Sequence, residues 1–278
     1  MGKFRDMQSA FDDKYVEANG IRTHYIEMGR GAPVVLVHGG GAGADAYGNW
    51  YDCIPRLAEQ FRVIAVDMLA FGKTAKPDPA TFAYTQDARV AHLAAFVEAL
   101  GLKKVSLVGN SMGGMTSMGV AVTRPELVDK LVLMGSAGLS RQTRAELRPV
   151  QNYDGSREGM VAIVRVLAHE SYKPEDDLID YRVAVATEPE TKRAYGATMG
   201  WVKNQGGLFY EEDFVRRVRT PTLVVGGKSD LVVPMELQFK FLELIPESWG
   251  YFLPRCGHWA MLEHPEDFSA QTARFLSR

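Results

Sequence analysis

The sequence predicts an α/β fold built on a mostly parallel sheet. Short, uninterrupted runs of apolar and β-branched residues recur along the chain, and such runs suit strands that are covered on both faces. Amphipathic helical patterns lie between several of these runs, which requires crossover connections between parallel strands. The chain has 278 residues, 46% of them hydrophobic, so it is long enough to bury one large core or a core with an insert.

The first predicted element is a hairpin. Residues 14–17 and 22–27 are joined by Asn19-Gly20, a strong two-residue turn signal, and we expect them to form an antiparallel edge of the sheet. Six further strands are expected at residues 34–37, 62–66, 104–108, 131–134, 222–225 and 249–253. Helices are expected at residues 86–100, 111–123 and 235–244.

The alternation of strand and helix lapses between residues 139 and 209, where the sequence becomes helical and charged. An insert of this length in an α/β sheet is most simply a helical lid over one end of it. Extra helices packed on the periphery are the alternative. The predicted organisation is therefore a core formed by residues 1–138 and 210–278, with a lid formed by residues 139–209.

Charge and cysteine content exclude several classes of function. Lys and Arg number 32 against 34 Asp and Glu, a net charge of −2, so nucleic acid and membrane surfaces are poor candidates for a partner. Cys53 and Cys256 lie far apart without ligand spacing, which predicts free thiols and no metal site. The sequence has neither a signal-peptide pattern nor an apolar run long enough to span a membrane, and we expect a soluble cytoplasmic protein.

The segment Gly109-Asn-Ser-Met-Gly113 matches the G-x-S-x-G pattern of a nucleophile elbow. The pentapeptide alone is a weak signal, and an ordinary glycine-rich turn is the alternative. Its position is informative, because it directly follows a predicted strand and directly precedes a predicted helix. That strand-turn-helix context lifts a serine hydroxyl above the sheet edge, so Ser111 is the candidate nucleophile.

A serine hydroxyl needs a base to take its proton and a carboxylate to orient that base. Among six histidines, His258 stands out because it follows the last predicted strand, at the sheet edge where ligands collect. Asp230 follows the penultimate strand, although a simple loop acid is the alternative. The chain order Ser111, Asp230, His258 is the one expected of α/β hydrolases and differs from the two common serine-protease orders.

The run His38-Gly-Gly-Gly41 follows the strand at residues 34–37 and leaves backbone N–H groups free to stabilise an oxyanion. We expect the amide of Met112 to act together with an amide from Gly40 or Gly41. A phosphate-binding loop is disfavoured, because the run lacks both the G-K-[ST] ending and the G-x-G-x-x-G frame.

Together these segments resemble a known family over essentially the whole chain. The segments HGGGAGA, DMLAFGKTAKPD, GNSMGG, LVLMGSAGL, GKSDLVVP and CGHWAMLEHPEDF are similar to those of the meta-cleavage product hydrolases. These are enzymes of the α/β-hydrolase fold that hydrolyse a carbon–carbon bond in ring-fission products of aromatic catabolism. The resemblance is nearest to the branch that acts on 2-hydroxy-6-oxo-6-aryl-hexa-2,4-dienoates of carbazole, dibenzofuran or biphenyl pathways. It implies an eight-stranded, mostly parallel sheet with helices on both faces and a helical lid.

By motif matching, the resemblance implies a polar pocket for the dienoate formed by Asn49, Asn110, Arg182 and Trp259. A planar guanidinium suits a carboxylate, since it donates two parallel hydrogen bonds. A solvated lid arginine and a core tryptophan are the alternative interpretations of Arg182 and Trp259. Ala70 departs from the family pattern, which often has glycine there.

The resemblance also implies a reaction. The bound dienol is ketonised, Ser111 attacks the ketone at carbon 6, and water hydrolyses the resulting acyl-enzyme to release a carboxylic acid beside 2-hydroxypenta-2,4-dienoate. No metal or organic cofactor is implied, and a homodimer or higher homo-oligomer is expected. A serine carboxylesterase or lactonase that acts on small esters is the main competing hypothesis, and a non-catalytic binding protein on the same fold is the second.

Overall fold

The computed structural model describes residues 3–141 and 145–278. Eight strands form one sheet in the spatial order β1-β2-β4-β3-β5-β6-β9-β10. Two further strands, β7 and β8, form a separate ribbon. The bounds are β1 Lys14–Ala18, β2 Ile21–Met28, β3 Pro33–Val37, β4 Arg62–Val66, β5 Val105–Asn110, β6 Val128–Met134, β7 Leu139–Ser140, β8 Leu208–Phe209, β9 Thr222–Gly227 and β10 Ser248–Leu253.

The two hairpin strands and the six strands expected from the apolar runs are all present, and the α/β-hydrolase fold is confirmed. Strands β3, β4, β5, β6, β9 and β10 pair in parallel. The hairpin of β1 and β2 adds an antiparallel edge. Its turn residues Asn19 and Gly20 have φ of 52° and 74°, the left-handed conformation that the Asn-Gly signal predicts.

Helices cover both faces of the sheet. Their bounds are α1 Lys3–Gln8, α2 Ala46–Trp50, α3 Cys53–Ala58, α4 Gln86–Ala99, α5 Met112–Thr123, α6 Arg148–Gln151, α7 Arg157–Leu167, α8 Asp176–Thr187, α9 Pro189–Gln205, α10 Glu212–Val215, α11 Met235–Leu244, α12 Ala260–Glu263 and α13 Pro265–Leu276. Helices α4, α5 and α11 match the predicted positions within two residues at each end. None of the helices in residues 3–141 and 145–278 has the length and apolar character needed to cross a membrane.

The core divides into two layers because side chains alternate along each strand. In β3, Val34 and Leu36 pack with α3 and α13 on one face of the sheet, whereas Val35 and Val37 pack with α4 and α5 on the other. Strand β5 lies near the centre of the sheet, and all six of its residues are buried. This arrangement places Ser111, the residue after β5, at the middle of the carboxyl edge.

The segment between β7 and β8 contains α6 to α9. Its two ends meet in the ribbon of β7 and β8, where Leu139 pairs with Phe209 and Ser140 with Leu208. Helix α8 packs against α1 and α2, so this segment lies over the loops that follow β3. Residues 142–144, and Met1 and Gly2 of the predicted core, lie outside the described part of the chain. The division into core and lid stays a prediction.

Candidate active site

Ser111 occupies a sharp turn between β5 and α5. Its φ of 54° and ψ of −118° form an unfavourable backbone conformation for a residue with a side chain. Three backbone bonds hold it. The Ser111 amide donates to the Met134 carbonyl at 3.1 Å, and the Ser111 carbonyl accepts from the amides of Ala137 at 3.0 Å and Met115 at 3.1 Å. A Cβ at Gly113 would lie 2.2 Å from the Val37 carbonyl oxygen, so glycine is required where α5 approaches β3.

His258 and Asp230 meet at the same edge, and both are buried. The His258 Nδ1 lies 2.9 Å from Asp230 Oδ2. The other carboxylate oxygen of Asp230 accepts hydrogen bonds from the amides of Val232 and Val233 at 2.7 and 2.9 Å. With Nδ1 engaged by the carboxylate, Nε2 is the imidazole nitrogen left for proton transfer.

The Ser111 hydroxyl makes no hydrogen bond to any residue that the structure describes. Such bonds are often long in ligand-free enzymes and shorten when substrate binds. Gly135 lies between the elements that carry these groups. A Cβ at Gly135 would sit 3.0 Å from His258 Nδ1 and 3.2 Å from Asp230 Oδ2, and Gly135 has φ of 49°. Glycine therefore leaves room for the imidazole and carboxylate to meet.

The predicted oxyanion donors lie beside Ser111. Met112 is the first residue of α5, so its amide has no partner within the helix and points toward the helix N-terminus. Gly40 lies against the Met112 side chain, since a Cβ at Gly40 would be 2.4 Å from Met112 Cε. Gly41 borders open space, because a Cβ there would meet nothing within 4 Å. The glycines thus provide the close approach and the space that an oxyanion site needs.

Arg182, Asn49 and Trp259 come together from three elements. The Arg182 Nη1 donates to Asn49 Oδ1 at 3.3 Å, and Nη2 donates to the Ala42 carbonyl at 3.4 Å. The guanidinium lies 4.7 Å above the centre of the Trp259 ring, within the range of a cation–π contact. Arg182 is only 1% exposed, so the alternative of a solvated lid arginine is wrong.

Asn110 directly precedes Ser111 and contacts the loop of His258. Its Nδ2 donates to the Met134 carbonyl at 3.1 Å and to the His258 carbonyl at 3.4 Å. Its Oδ1 is buried without a hydrogen-bond partner among the described residues, and faces Gly39. The structure therefore gathers every residue predicted for the site around one end of the sheet.

Sequence reasoning missed the residues that support this site. Asp45 caps the N-terminus of α2 by accepting from the Gly48 amide at 2.6 Å, and it also accepts from the Tyr181 hydroxyl. Glu263 accepts hydrogen bonds from the backbone amides on both sides of His258. The Asp-x-x-Gly spacing at the start of α2 is the signal that would have identified Asp45 as a cap.

Asp67 directly follows β4, and its contacts give it a structural role. Its carboxylate accepts from the Ala46 amide, the Lys73 amide and His24 Nδ1 at 2.7, 2.7 and 2.6 Å. Although burial raises the pKa of this carboxyl, the His24 contact holds it below its ordinary value. Ala70, in the same loop, has φ of 84°, which explains why the family pattern favours glycine there.

The fold, the serine elbow and the histidine–aspartate pair define a serine hydrolase of the α/β-hydrolase class. The family model described as "Alpha/beta hydrolase family" matches residues 34–271. The chain belongs to this family and, within it, to the meta-cleavage product hydrolases, as the following relatives show.

The chain is 56% identical over 272 residues to a 2-hydroxy-6-oxo-6-(2'-aminophenyl)hexa-2,4-dienoic acid hydrolase of Metapseudomonas resinovorans, covering 98% of this chain and 93% of that protein. A crystal structure of a serine hydrolase involved in carbazole degradation, CarC, is 54% identical with a TM-score of 0.89, covering 96% of this chain and 99% of that one. The meta-cleavage product hydrolase CumD of Pseudomonas fluorescens IP01 is 31% identical with a TM-score of 0.89, covering 95% and 97% of the two chains.

Proposed function

We propose that this protein hydrolyses the carbon–carbon bond of a 2-hydroxy-6-oxo-hexa-2,4-dienoate ring-fission product, releasing 2-hydroxypenta-2,4-dienoate and a carboxylic acid. The relatives reported above are named for this reaction class in aromatic catabolism. The site residues support the same chemistry in this chain.

One observation carries the proposal: a fully buried arginine that makes no ion pair within the described residues. The Arg182 Nε has no hydrogen-bond partner there, and its two other nitrogens make only long bonds to neutral oxygens. Burial lowers the pKa of Arg182, and nearby Asp45 opposes this effect. A buried guanidinium with unused donors is a binding group for a planar anion such as the carboxylate of the dienoate.

The contact of Arg182 with Trp259, the neighbour of His258, indicates how the rest of the substrate would lie. Trp259 follows His258 directly, and its ring lies against the Arg182 guanidinium. Arg182, which would hold the carboxylate, is therefore close to His258, the proposed base. A dienoate held at Arg182 would extend its carbon 6 ketone toward Ser111. Asn49 and the unpartnered Asn110 Oδ1 would meet the polar end of the substrate between these points.

Each triad residue has one role in the proposed reaction. His258 removes the Ser111 proton, and Asp230 orients the imidazole and stabilises its positive charge. The Ser111 oxygen attacks carbon 6, and the amides of Met112 and of Gly40 or Gly41 stabilise the oxyanion, contributing roughly 3 kcal/mol per donor. Because ketonisation has already placed a proton on carbon 5 and a ketone on carbon 2, the bond between carbons 5 and 6 breaks and its electron pair passes into the dienolate of the leaving group. The proton that His258 took from Ser111 neutralises this dienolate. His258 then removes a proton from the water that attacks the acyl-enzyme, and returns it to Ser111 as the carboxylic acid leaves.

We also propose that the group on carbon 6 is an aryl ring. The aminophenyl substrate in the name of the relative that is 56% identical supports this choice. Residues 139–141 and 145–209 would then cover the ring as a lid. Tyr153, from this segment, has a buried hydroxyl with no hydrogen-bond partner among the described residues.

The proposal is tested by replacing Arg182 and comparing two substrates. Because a lysine cannot donate the parallel pair of hydrogen bonds, Arg182→Lys should lower kcat/KM for an aryl ring-fission product by at least ~30-fold. Hydrolysis of a neutral p-nitrophenyl ester, which has no carboxylate, should change little. Arg165→Ala, an exposed arginine on α7, is the matched control and should leave both activities unchanged.

The same assay distinguishes the proposed function from the two competing hypotheses. If the wild-type protein turns over small esters far faster than any ring-fission product, a carboxylesterase or lactonase is the better assignment. If it turns over neither kind of substrate, a non-catalytic binding protein is the better assignment. Equal losses on both substrates in Arg182→Lys would show that Arg182 supports the structure and does not clamp a carboxylate.

A cytoplasmic location and a homo-oligomer stay predictions for this chain. Sedimentation equilibrium of the purified protein measures the second directly. Cys53 and Cys256 are both buried free thiols, which is compatible with a reducing compartment.

A further inference from the structure

The carboxylate of Glu263, the last residue of α12, binds three backbone amides at once. Oε2 accepts from the Gly257 amide and from the His169 amide, both at 2.8 Å. Oε1 accepts from the Trp259 amide at 3.0 Å. Two of these donors flank His258 in sequence, and the third belongs to the predicted lid.

The same two segments also bond directly through their backbones. The His258 amide donates to the Leu167 carbonyl at 2.6 Å, at the end of α7. A Cβ at Gly257 would lie 2.6 Å from the Leu167 carbonyl oxygen and 2.8 Å from the His169 nitrogen. Glycine is therefore required at position 257, because any side chain would push the two segments apart.

These contacts hold the backbone of His258 and so determine the position of its Cα and Cβ atoms. The amides on both sides of His258, and its own amide, are all engaged, so the backbone of residues 257–259 is held at three consecutive positions. Bonds to an ionised carboxylate are about twice as strong as neutral ones. The Asp230 contact then fixes the far end of the side chain, and the imidazole is held from both ends.

We propose that Glu263 is a positioning residue that aims the His258 imidazole at Ser111 and ties the lid segment 167–169 to the same loop. It acts through the backbone and touches no reacting atom. The inference rests on the proposed function only in taking His258 as the base. It adds that the base is anchored to the predicted lid as well as to the core.

Glu263→Gln tests this role. The glutamine keeps one acceptor oxygen but turns an NH₂ group toward backbone donors, so at least one of the three bonds is lost. A misplacement of a catalytic group by about 1 Å costs on the order of 100-fold in rate. We expect kcat to fall by about 10- to 100-fold while KM changes by less than about threefold.

Glu170→Gln is the matched control. Glu170 follows His169 directly and its side chain is exposed, so Glu170→Gln removes the same charge next to the lid segment 167–169 without removing a bond to it. It should retain wild-type kcat and KM. Both variants are assayed on an aryl ring-fission product and on a p-nitrophenyl ester. A loss on the ester as well supports the role of Glu263 even if the proposed natural substrate proves wrong.

Proton NMR supplies a readout that a purely structural role would not move. The His258–Asp230 hydrogen bond should give a far-downfield proton resonance, and Glu263→Gln should broaden or shift it. The buried pair His24 and Asp67, whose nitrogen and oxygen lie 2.6 Å apart, is an internal reference that should stay unchanged. An unaltered His258 resonance together with kcat within about threefold of wild type overturns the proposal.

Hydrogen exchange of the wild-type protein covers the case in which Glu263→Gln does not fold. The amides of Gly257, Trp259 and His169 should exchange slowly and as a group, because one carboxylate holds all three. If they exchange as fast as exposed loop amides, the carboxylate does not anchor them and the proposal fails. A rise in KM alone in a folded variant also contradicts it, since the base would then be correctly placed.

Discussion

The Asp45 carboxylate accepts a hydrogen bond from the Tyr181 hydroxyl. This bond links the two helices that carry Asn49 and Arg182, the residues predicted to hold the substrate. Asp45 caps α2, which carries Asn49, while Tyr181 precedes Arg182 on α8. One buried carboxylate thus positions both Asn49 and Arg182. The Tyr181 ring also packs edge-on against Phe4 and Tyr47, which adds apolar contacts to the same junction.

Removing the hydroxyl should weaken this link without removing the ring. Tyr181→Phe leaves one oxygen of a buried carboxylate without its donor, which costs about 1–3 kcal/mol of unfolding free energy. We expect KM for a ring-fission product to rise more than kcat falls, because Arg182 becomes less ordered. Urea unfolding and steady-state kinetics measure both effects.

Tyr251→Phe is the control for that measurement, since the Tyr251 hydroxyl makes no hydrogen bond within the residues that the structure describes. Its stability and KM should match those of the wild type. If Tyr181→Phe behaves in the same way as this control, the link between Asp45 and Tyr181 contributes nothing to binding.

The ionisation of Asp45 should make stability depend on pH. Burial, together with the nearby charge of Asp67, raises the pKa of Asp45 from 3.8 to about 7. An acid with a raised pKa binds its proton more tightly in the folded protein than in the unfolded chain. The folded state therefore loses stability as the pH rises from 3.8 to about 7, and the loss is complete above that value.

Asp45→Asn removes this dependence because an amide does not ionise. Relative to the wild type, the variant should gain on the order of 2 kcal/mol of unfolding free energy between about pH 5 and pH 7, at about 1.4 kcal/mol per pKa unit. Chemical unfolding of both proteins across this range measures the difference. If the unfolding free energies of the two proteins change with pH in parallel, Asp45 has an ordinary pKa in the folded protein.

Ser111→Ala should abolish release of the carboxylic acid in single-turnover experiments with a ring-fission product. Without its nucleophile, a serine hydrolase loses at least about 1,000-fold in rate. Ser117→Ala is the matched control, because Ser117 is buried on α5, the helix that follows Ser111, and its hydroxyl has no partner among the described residues. Turnover by Ser111→Ala within about tenfold of the wild type would exclude covalent catalysis by this residue.

Gly72 should be intolerant of any side chain. Its φ is 50°, and a Cβ there would lie 2.1 Å from Asp67 Oδ2. We expect Gly72→Ala to cost roughly 2–4 kcal/mol of unfolding free energy, from strain and from displacement of the buried carboxylate. Gly101 has a similar φ of 69°, but a Cβ there would meet nothing within 4 Å. Gly101→Ala should therefore cost only about 1 kcal/mol of unfolding free energy.

The difference between these two glycine variants measures the contact with Asp67 separately from backbone strain. Thermal denaturation of both proteins under the same conditions is sufficient. Equal losses of stability would show that the Asp67 carboxylate moves aside without cost and is not a rigid part of the loop.

Local patterns predicted the elements and the triad because each carries its signal in neighbouring residues. The Asn-Gly turn, the apolar runs and the elbow at Ser111 specify their own backbone conformations, and strand order brings Asp230 and His258 to the same edge. The carboxylate of Glu263 carried no such signal, since its partners Gly257 and Trp259 are nearby in sequence but His169 is 94 residues away. Asp45 and Tyr181 are 136 residues apart, and no pattern in either segment indicates the other.

The sequence by itself therefore determined the class of fold, the candidate nucleophile with its base and acid, and the family to which the chain belongs. Only the tertiary structure decided that Arg182 is buried and makes no ion pair among the described residues, that Trp259 stacks on it, and that the loop of His258 is bonded to the segment ending α7. The physical reason is that burial and the pairing of charges depend on which distant segments pack together. A sequence pattern records the conformation of one segment, whereas the environment of a charge is created by several.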